Sequence, residues 1–296
     1  MLPVDKHLLR LRKVFFTLFI AALACPVQAS NFEHGLLWEI SKPGVAASYL
    51  LGTIHSDDPR VTKLPPAVAK AFAKSRSFTG EMDMSMESMT RTQQQIMLPA
   101  DKKLDSVIGE TRFRKCVELM AKYHIPEVVV KKMKPWAIAL QLNMPKPTSD
   151  RFLDLVLYEQ AISRGLPVHG LETVAEQMAV FDNLSMPQQI TLLDEALDNY
   201  ENVDEMIARL IDLYLARDLA GLQTTNTEQM KKGNAALAQK VEQRLIIARN
   251  HRMAKRMQAR LQEGQAFIAV GALHLPGDQG ILHLLEQQGY RVKSVY

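Results

Sequence analysis

Two imidazoles stand in the same short pattern near opposite ends of this chain. Gly52-Thr-Ile-His55 follows the apolar Tyr49-Leu-Leu51, and Gly271-Ala-Leu-His274 follows Phe267-Ile-Ala-Val270, the second histidine standing 219 positions after the first. Two acids occupy matching places. Glu81 ends Phe78-Thr-Gly-Glu81, and Glu172 follows Val168-His-Gly-Leu171. In an open α/β sheet the carboxyl ends of parallel strands form the ligand crevice, so four strand ends would deliver two imidazoles and two carboxylates to one place. Two His with one or two carboxylates, and water in the remaining position, suit Zn²⁺ or Mn²⁺. Such an ion acidifies its water and polarises a carbonyl, which is hydrolytic chemistry. Arg249, in Arg249-Asn-His-Arg252, would hold a substrate carboxylate or an oxyanion. The residue types leave plainer readings open: loop or capping histidines, a salt-bridged Glu81, a dipole-favoured acid at Glu172, and a solvated basic face at Arg249.

Other polar residues carry weaker signals. Asp83 reads as a turn acid or a partner of the site, and Asp57 and Asp58 as ring-orienting or solvated groups. His169 reads as a core histidine. Cys116 lies on the inner face of an amphipathic segment with no His at nucleophile spacing, which favours packing over catalysis. The Met-rich stretch Met82 to Met97 reads as a lid, or as a surface adaptable to peptide. The chain has no Gly-x-Ser-x-Gly, His-Glu-x-x-His, Gly-x-Gly-x-x-Gly or Walker loop.

The elements that must position these groups are legible. Leu36 to Ile40 and Ser48 to Thr53 flank a Lys-Pro-Gly turn, which predicts a hairpin. A helix from Pro66 to Lys74 and a strand over 77–82 follow, suggesting a right-handed crossover and a parallel pair. Helices are expected near 86–97, 110–122, 126–132, 134–141 and 150–164, then a short buried strand at 166–170. Thr173 and Glu176 form a capping-box pattern. Helical periodicity fills 187–263, including one long segment from Ala235 to Gln262. A buried strand at 265–270, a helix at 281–288 and a last strand at 291–295 close the chain. The expected fold is α/β: a central, mostly parallel sheet with flanking helices and a large helical insertion at about 86–263, interrupted by the strand near 166–170.

Composition sets the compartment. Residues 1–29 combine a basic stretch, Lys6 to Lys13, with an apolar run of 11 residues, Val14 to Ala24, and small residues at Val27 and Ala29. This reads as a signal peptide cleaved after Ala29, ahead of a domain over 30–296; lipidation at Cys25 is the weaker alternative. The net charge of +4 falls to +1 without that segment, so a nucleic-acid partner is not indicated. The expected protein is periplasmic or secreted, with no stable membrane span after cleavage. Its oligomeric state is left open.

These pieces in order resemble the TraB/PrgY/GumN family, which is related to the Tiki proteases. The likeness rests on Leu37-Trp38, Tyr49 to His55, Phe78 to Asp83, Gly170 to Thr173 with Gln177, Arg249-Asn250, Val270 to Gly277 and Leu284 to Val292. It implies a fold like that of erythromycin esterases and the haem-binding ChaN proteins. It also implies that His55, Glu81 and His274 are metal-site residues, with Arg249 nearby; the strand-end pattern adds Glu172 as a further ligand or base, and the expected ion is Mn, Co or Zn. Pro276 stands where the family pattern has Gly or a polar residue. The function implied is an exported metal-dependent hydrolase acting on a peptide or small molecule. The alternative is a non-catalytic periplasmic binder of haem or peptide.

Overall fold

The computed structural model of the chain describes residues 32–146, 149 and 151–296. The expected signal segment with its expected cleavage site and Cys25 lie outside the described residues, as do Pro147 and the expected helix start at Asp150. Six strands build one sheet: β1 (Leu37–Lys42), β2 (Val45–Thr53), β3 (Ser77–Met82), β4 (Val168–Glu172), β5 (Ala266–Gly271) and β6 (Arg291–Ser294). Their order across the sheet is β4-β3-β5-β2-β1-β6. β1 runs antiparallel to β2 and β6, while β2–β5, β5–β3 and β3–β4 are parallel pairs. The carboxyl ends of β2, β5, β3 and β4 therefore meet along one rim.

β5 is central because it is apolar on both faces: Ala266, Phe267, Ile268, Ala269 and Val270 are all buried. That placement corrects the expected β2–β3 pair. The two strands are parallel, but β5 lies between them, and the order of strands along the chain does not report so late an insertion. The strand expected at 166–170 begins two residues later and is not a buried strand. It is the sheet edge, with only Leu171 and Glu172 fully covered. Pro167 cannot donate to a ladder, so regular pairing starts after it.

The helices that matter for the rim are α1 (Pro66–Lys74), α2 (Met86–Gln95), α3 (Leu153–Ser163), α4 (Val174–Asp182), α5 (Ala235–Glu242), α6 (Ala248–Arg256) and α7 (Ile281–Gln287). α4 starts in the predicted capping box, with Thr173 and Glu176 each bonded to the other's backbone. The single long helix expected from Ala235 is interrupted. A π-helical turn, Gln243–Ile247, separates α5 from α6, and Gln258–Glu263 follows as a further short helix.

Two hydrophobic cores result. The first packs Leu50, Phe72, Phe78, Phe267 and Ile268 with Leu157, Tyr214, Leu219 and Met253. The second lies wholly among helices and holds Phe113, Cys116, Trp136, Ile138, Phe181 and Leu193. Residues of the expected insertion from Leu153 onward thus also complete the core of the sheet. Cys116 is fully buried, and burial pushes its thiol up to about 12, which suits packing rather than nucleophilic chemistry. No helix among the described residues is long and apolar enough to cross a membrane.

Phe267 is fully buried and meets Phe72 edge to face at 5.0 Å. Phe267→Ala is expected to cost ~3–5 kcal/mol in urea denaturation. A loss under ~1 kcal/mol would mean that β5 is not the centre of the sheet.

Candidate active site

Glu81 is the penultimate residue of β3, and its neighbour across the rim is the end of β5. The Gly271 amide donates to Glu81 Oε1 at 2.6 Å. The fit is close there: a Cβ would stand 3.2 Å from that oxygen and 3.5 Å from His274 Cδ2. A 3₁₀ turn, Ala272–His274, then swings His274 back so that its Nε2 lies 3.6 Å from Glu81 Oε1. The first Gly-x-x-His turn packs on the second. A Cβ at Gly52 would be 2.7 Å from Leu275 Cδ1 and 3.1 Å from Ala272 Cα.

The neighbours of His274 fix its protonation. Asn250 Nδ2 donates to the Gln279 carbonyl at 2.7 Å, which turns Asn250 Oδ1 toward His274 Nδ1 at 2.6 Å. An amide oxygen only accepts, so Nδ1 carries the hydrogen and Nε2 keeps a lone pair facing Glu81. Burial lowers the His274 pKa to about 4, so the ring is neutral at pH 7. Burial alone would raise the pKa of Glu81. The charges of His274 and Arg249, with the bonds from Gly271 and Arg249, outweigh it and hold the carboxyl below its ordinary value. His274 contributes only where it is protonated, while the guanidinium and the amide act on the carboxylate at neutral pH as well.

Arg249, on α6, lies between two carboxylates. Its Nη2 donates to Glu81 Oε2 at 2.6 Å and its Nε to Glu172 Oε2 at 2.7 Å. Arg252 donates to the other Glu172 oxygen at 2.6 Å. Burial alone would lower the Arg249 pKa, but the two acids raise it. Glu172, its side chain fully covered, has both oxygens bonded to arginines, as a buried counter-charge has. Arg249 bridges it to Glu81 and orients that carboxylate. Gln177 Nε2 lies 3.4 Å from Glu81 and 3.5 Å from Glu172, completing the polar floor.

His55 lines a 240 Å³ pocket with Glu81, Gln177, Gly271, Met84 and Asp154. Its ring packs against Phe152 with the planes tilted by 37° and the centroids 3.9 Å apart. The residue is exposed at the mouth, yet the surrounding protein is dense enough for burial to lower its pKa, against the pull of Glu81. Asp154, near the start of α3, was not singled out from the sequence. There it reads as one more acid in a first helical turn. Thr53 Oγ1 donates to its Oδ1 at 2.8 Å, and burial, with Glu81 adding to it, raises its pKa to about 7.

The donor set can be compared with what a divalent ion needs. Two ligands ~2.1 Å from a tetrahedral zinc stand ~3.4 Å apart, close to the 3.6 Å between Glu81 Oε1 and His274 Nε2. An ionised carboxylate and a neutral nitrogen lone pair face each other there, and the imidazole's one hydrogen is on the far side of the ring. Asn250 is the outer partner that metal-ligating histidines use. The pair fits as two ligands, and His55 lines the pocket that Glu81 also lines. Among the described residues, no three His, Cys, Asp or Glu side chains are already gathered around one point.

The remaining candidates have structural partners. Asp58 caps the short helix Pro59–Thr62 and pairs with Arg60 at 2.7 Å, and Asp57 accepts from the Ser149 amide. Asp83 accepts from the Ser85 amide at 3.1 Å, as a turn acid does. His169 faces Arg260 at 2.9 Å on the sheet edge, and is half-buried rather than in the core.

The model of the TraB/PrgY/gumN family matches residues 36–294. Metalloprotease TIKI2 of Danio rerio is 26% identical over 88% of this chain and 61% of its own length. Metalloprotease TIKI1 of Homo sapiens is 25% identical over 91% of this chain and 64% of its own length. The uncharacterized protein YbaP of Escherichia coli (strain K12) is 23% identical over 83% of this chain and 90% of its own. The chain thus spans about three fifths of the first TIKI relatives, and the likeness to named metalloproteases is distant. No solved structure matches it.

Removing the cation between two buried acids has a signed consequence. Arg249→Met is expected to cost ~3–5 kcal/mol at pH 7. In the wild type the folded pKa of Glu81 is depressed, so its contribution is complete above the unfolded value of 4.5 and is lost as pH falls through the folded value. In the variant burial dominates and raises that pKa, so stability improves on acidification. Urea midpoints of the two proteins should converge between pH 7 and pH 4; a constant gap contradicts the buried clasp.

Proposed function

The chain belongs to the TraB/PrgY/gumN family, and from that premise we propose that it is an exported metal-dependent hydrolase that cleaves peptide bonds at the His55–Glu81–His274 pocket. The observation that carries this reading is the pair of lone pairs at 3.6 Å: a buried neutral imidazole facing an ionised carboxylate. The metalloprotease names of distant relatives support it. Glu81, His274 and His55 would hold Mn²⁺, Co²⁺ or Zn²⁺, which when bound would acidify a water and polarise a carbonyl.

The chain's own groups divide the remaining work. Arg249 and Gly271 keep Glu81 ionised and fixed in direction. Asn250 holds His274 in the tautomer with Nε2 free. Asp154, with a pKa of about 7, holds a proton at its carboxyl near neutral pH and is suited to pass one to a leaving amine. The basic and apolar stretches of residues 1–29 support export to the periplasm, with cleavage after Ala29.

Peptide hydrolysis by the purified protein should vanish in EDTA and return with Mn²⁺, Co²⁺ or Zn²⁺. His274→Ala should retain neither metal nor activity. Asn250→Ala should weaken metal affinity ~10–100-fold while leaving both ligands in place. Full activity with no detectable metal would overturn the proposal. Intact mass of protein recovered from the periplasm should begin at Ser30; a lipid-modified N-terminal Cys25 would overturn the cleavage assignment.

A further inference from the structure

A second cavity of about 980 Å³ lies beside the pocket, at the upper end of the range for ligand clefts. α2 forms one wall through Ser88, Gln94 and Gln95, and the edge strand contributes Gly170. Met82 lines both cavities, so the trough adjoins the catalytic pocket across the sill where β3 ends.

We propose that this trough binds an extended polypeptide, which pairs with the outer edge of β4. The proposal deepens the peptidase reading and rests on it for the position of the scissile bond. Phe78 N donates to the Pro167 carbonyl, which sets the phase of the β3–β4 ladder. His169 and Leu171 then bond inward, and the amides and carbonyls of Val168, Gly170 and Glu172 point away from the sheet. Among the described residues, no other backbone bond reaches these three from outside the sheet. An outward row of alternating donors and acceptors is what an extended peptide matches by strand addition.

The trough is polar and carries no unpaired cation, while Asp83 leaves it a carboxylate. Lys134 is held by Asp182 at 2.7 Å and Arg91 by Glu87 at 2.6 Å, so its cations are neutralised within its own walls. Hydroxyls and side-chain amides remain, which suit a peptide backbone better than a phosphate or a carboxylate. α2 has no buried residue, so the core does not explain its position beside the edge strand. Its ten residues span ~15 Å, the reach of roughly four or five extended residues at ~3.3 Å each.

The test compares internally quenched peptides of four and twelve residues carrying the same cleavable centre, on the full chain and on the Gln94→Ala/Gln95→Ala double variant. Wild type should show kcat/KM about tenfold higher for the longer peptide, expressed in KM, and the variant should lose most of that ratio. A wild-type ratio near one, or a ratio unchanged in the variant, overturns the cleft. If neither peptide is cleaved, the hydrolase reading fails by itself, and fluorescence anisotropy of a labelled twelve-residue peptide decides the cleft. Binding weakened about fivefold or more in the variant sustains it; equal binding, or none, overturns it.

Discussion

The rim is organised around one buried cation between two acids. Arg249, 7% exposed, bonds Glu81 from β3 and Glu172 from β4 at 2.6 and 2.7 Å. A buried carboxylate without a partner would take up a proton and lose its charge. The guanidinium prevents this with a planar fork that reaches both acids, which a lysine could not reproduce. The clasp also ties α6 to two neighbouring strands. Helix position, acid ionisation and rim geometry therefore depend on the same few bonds.

α6 delivers several groups at once. Arg249, Arg252 and Arg256 lie on one face at helical spacing and bind Glu172, Glu176 and the Leu171 carbonyl along the edge strand. Asn250, next along, turns instead toward His274 and the Gln279 carbonyl. The π-helical turn just before α6 re-phases the helix between its packing in the second core and this polar face. The helical region thereby contributes to the rim the groups that set the charge of Glu81 and the tautomer of His274.

Much of the fold was readable from the chain alone because it is local. Apolar runs marked the strands, proline marked the start of α1, and Thr173 with Glu176 marked the start of α4 by a bond pattern confined to four residues. The paired Gly-x-x-His turns were visible as a repeat; a side chain at Gly52 would collide with the other turn, and one at Gly271 would press closely on Glu81. The sequence by itself thus determined which elements form and which residue types stand at strand ends.

Tertiary structure decided what those residues do. Glu81 and Glu172 look alike in sequence, each an acid ending an apolar strand. They part company because α6 brings two arginines to Glu172, while Glu81 has one oxygen on Arg249 and the other on the Gly271 amide and facing His274. Asp154 had no mark of its own until folding crowded it beside Thr53 and raised its pKa to about 7. The place of β5 between β2 and β3 was likewise hidden, because strand adjacency is fixed by contacts among segments some 200 residues apart. Charge, tautomer and burial are properties of an environment, and the environment here comes from chain segments that sequence spacing does not bring together.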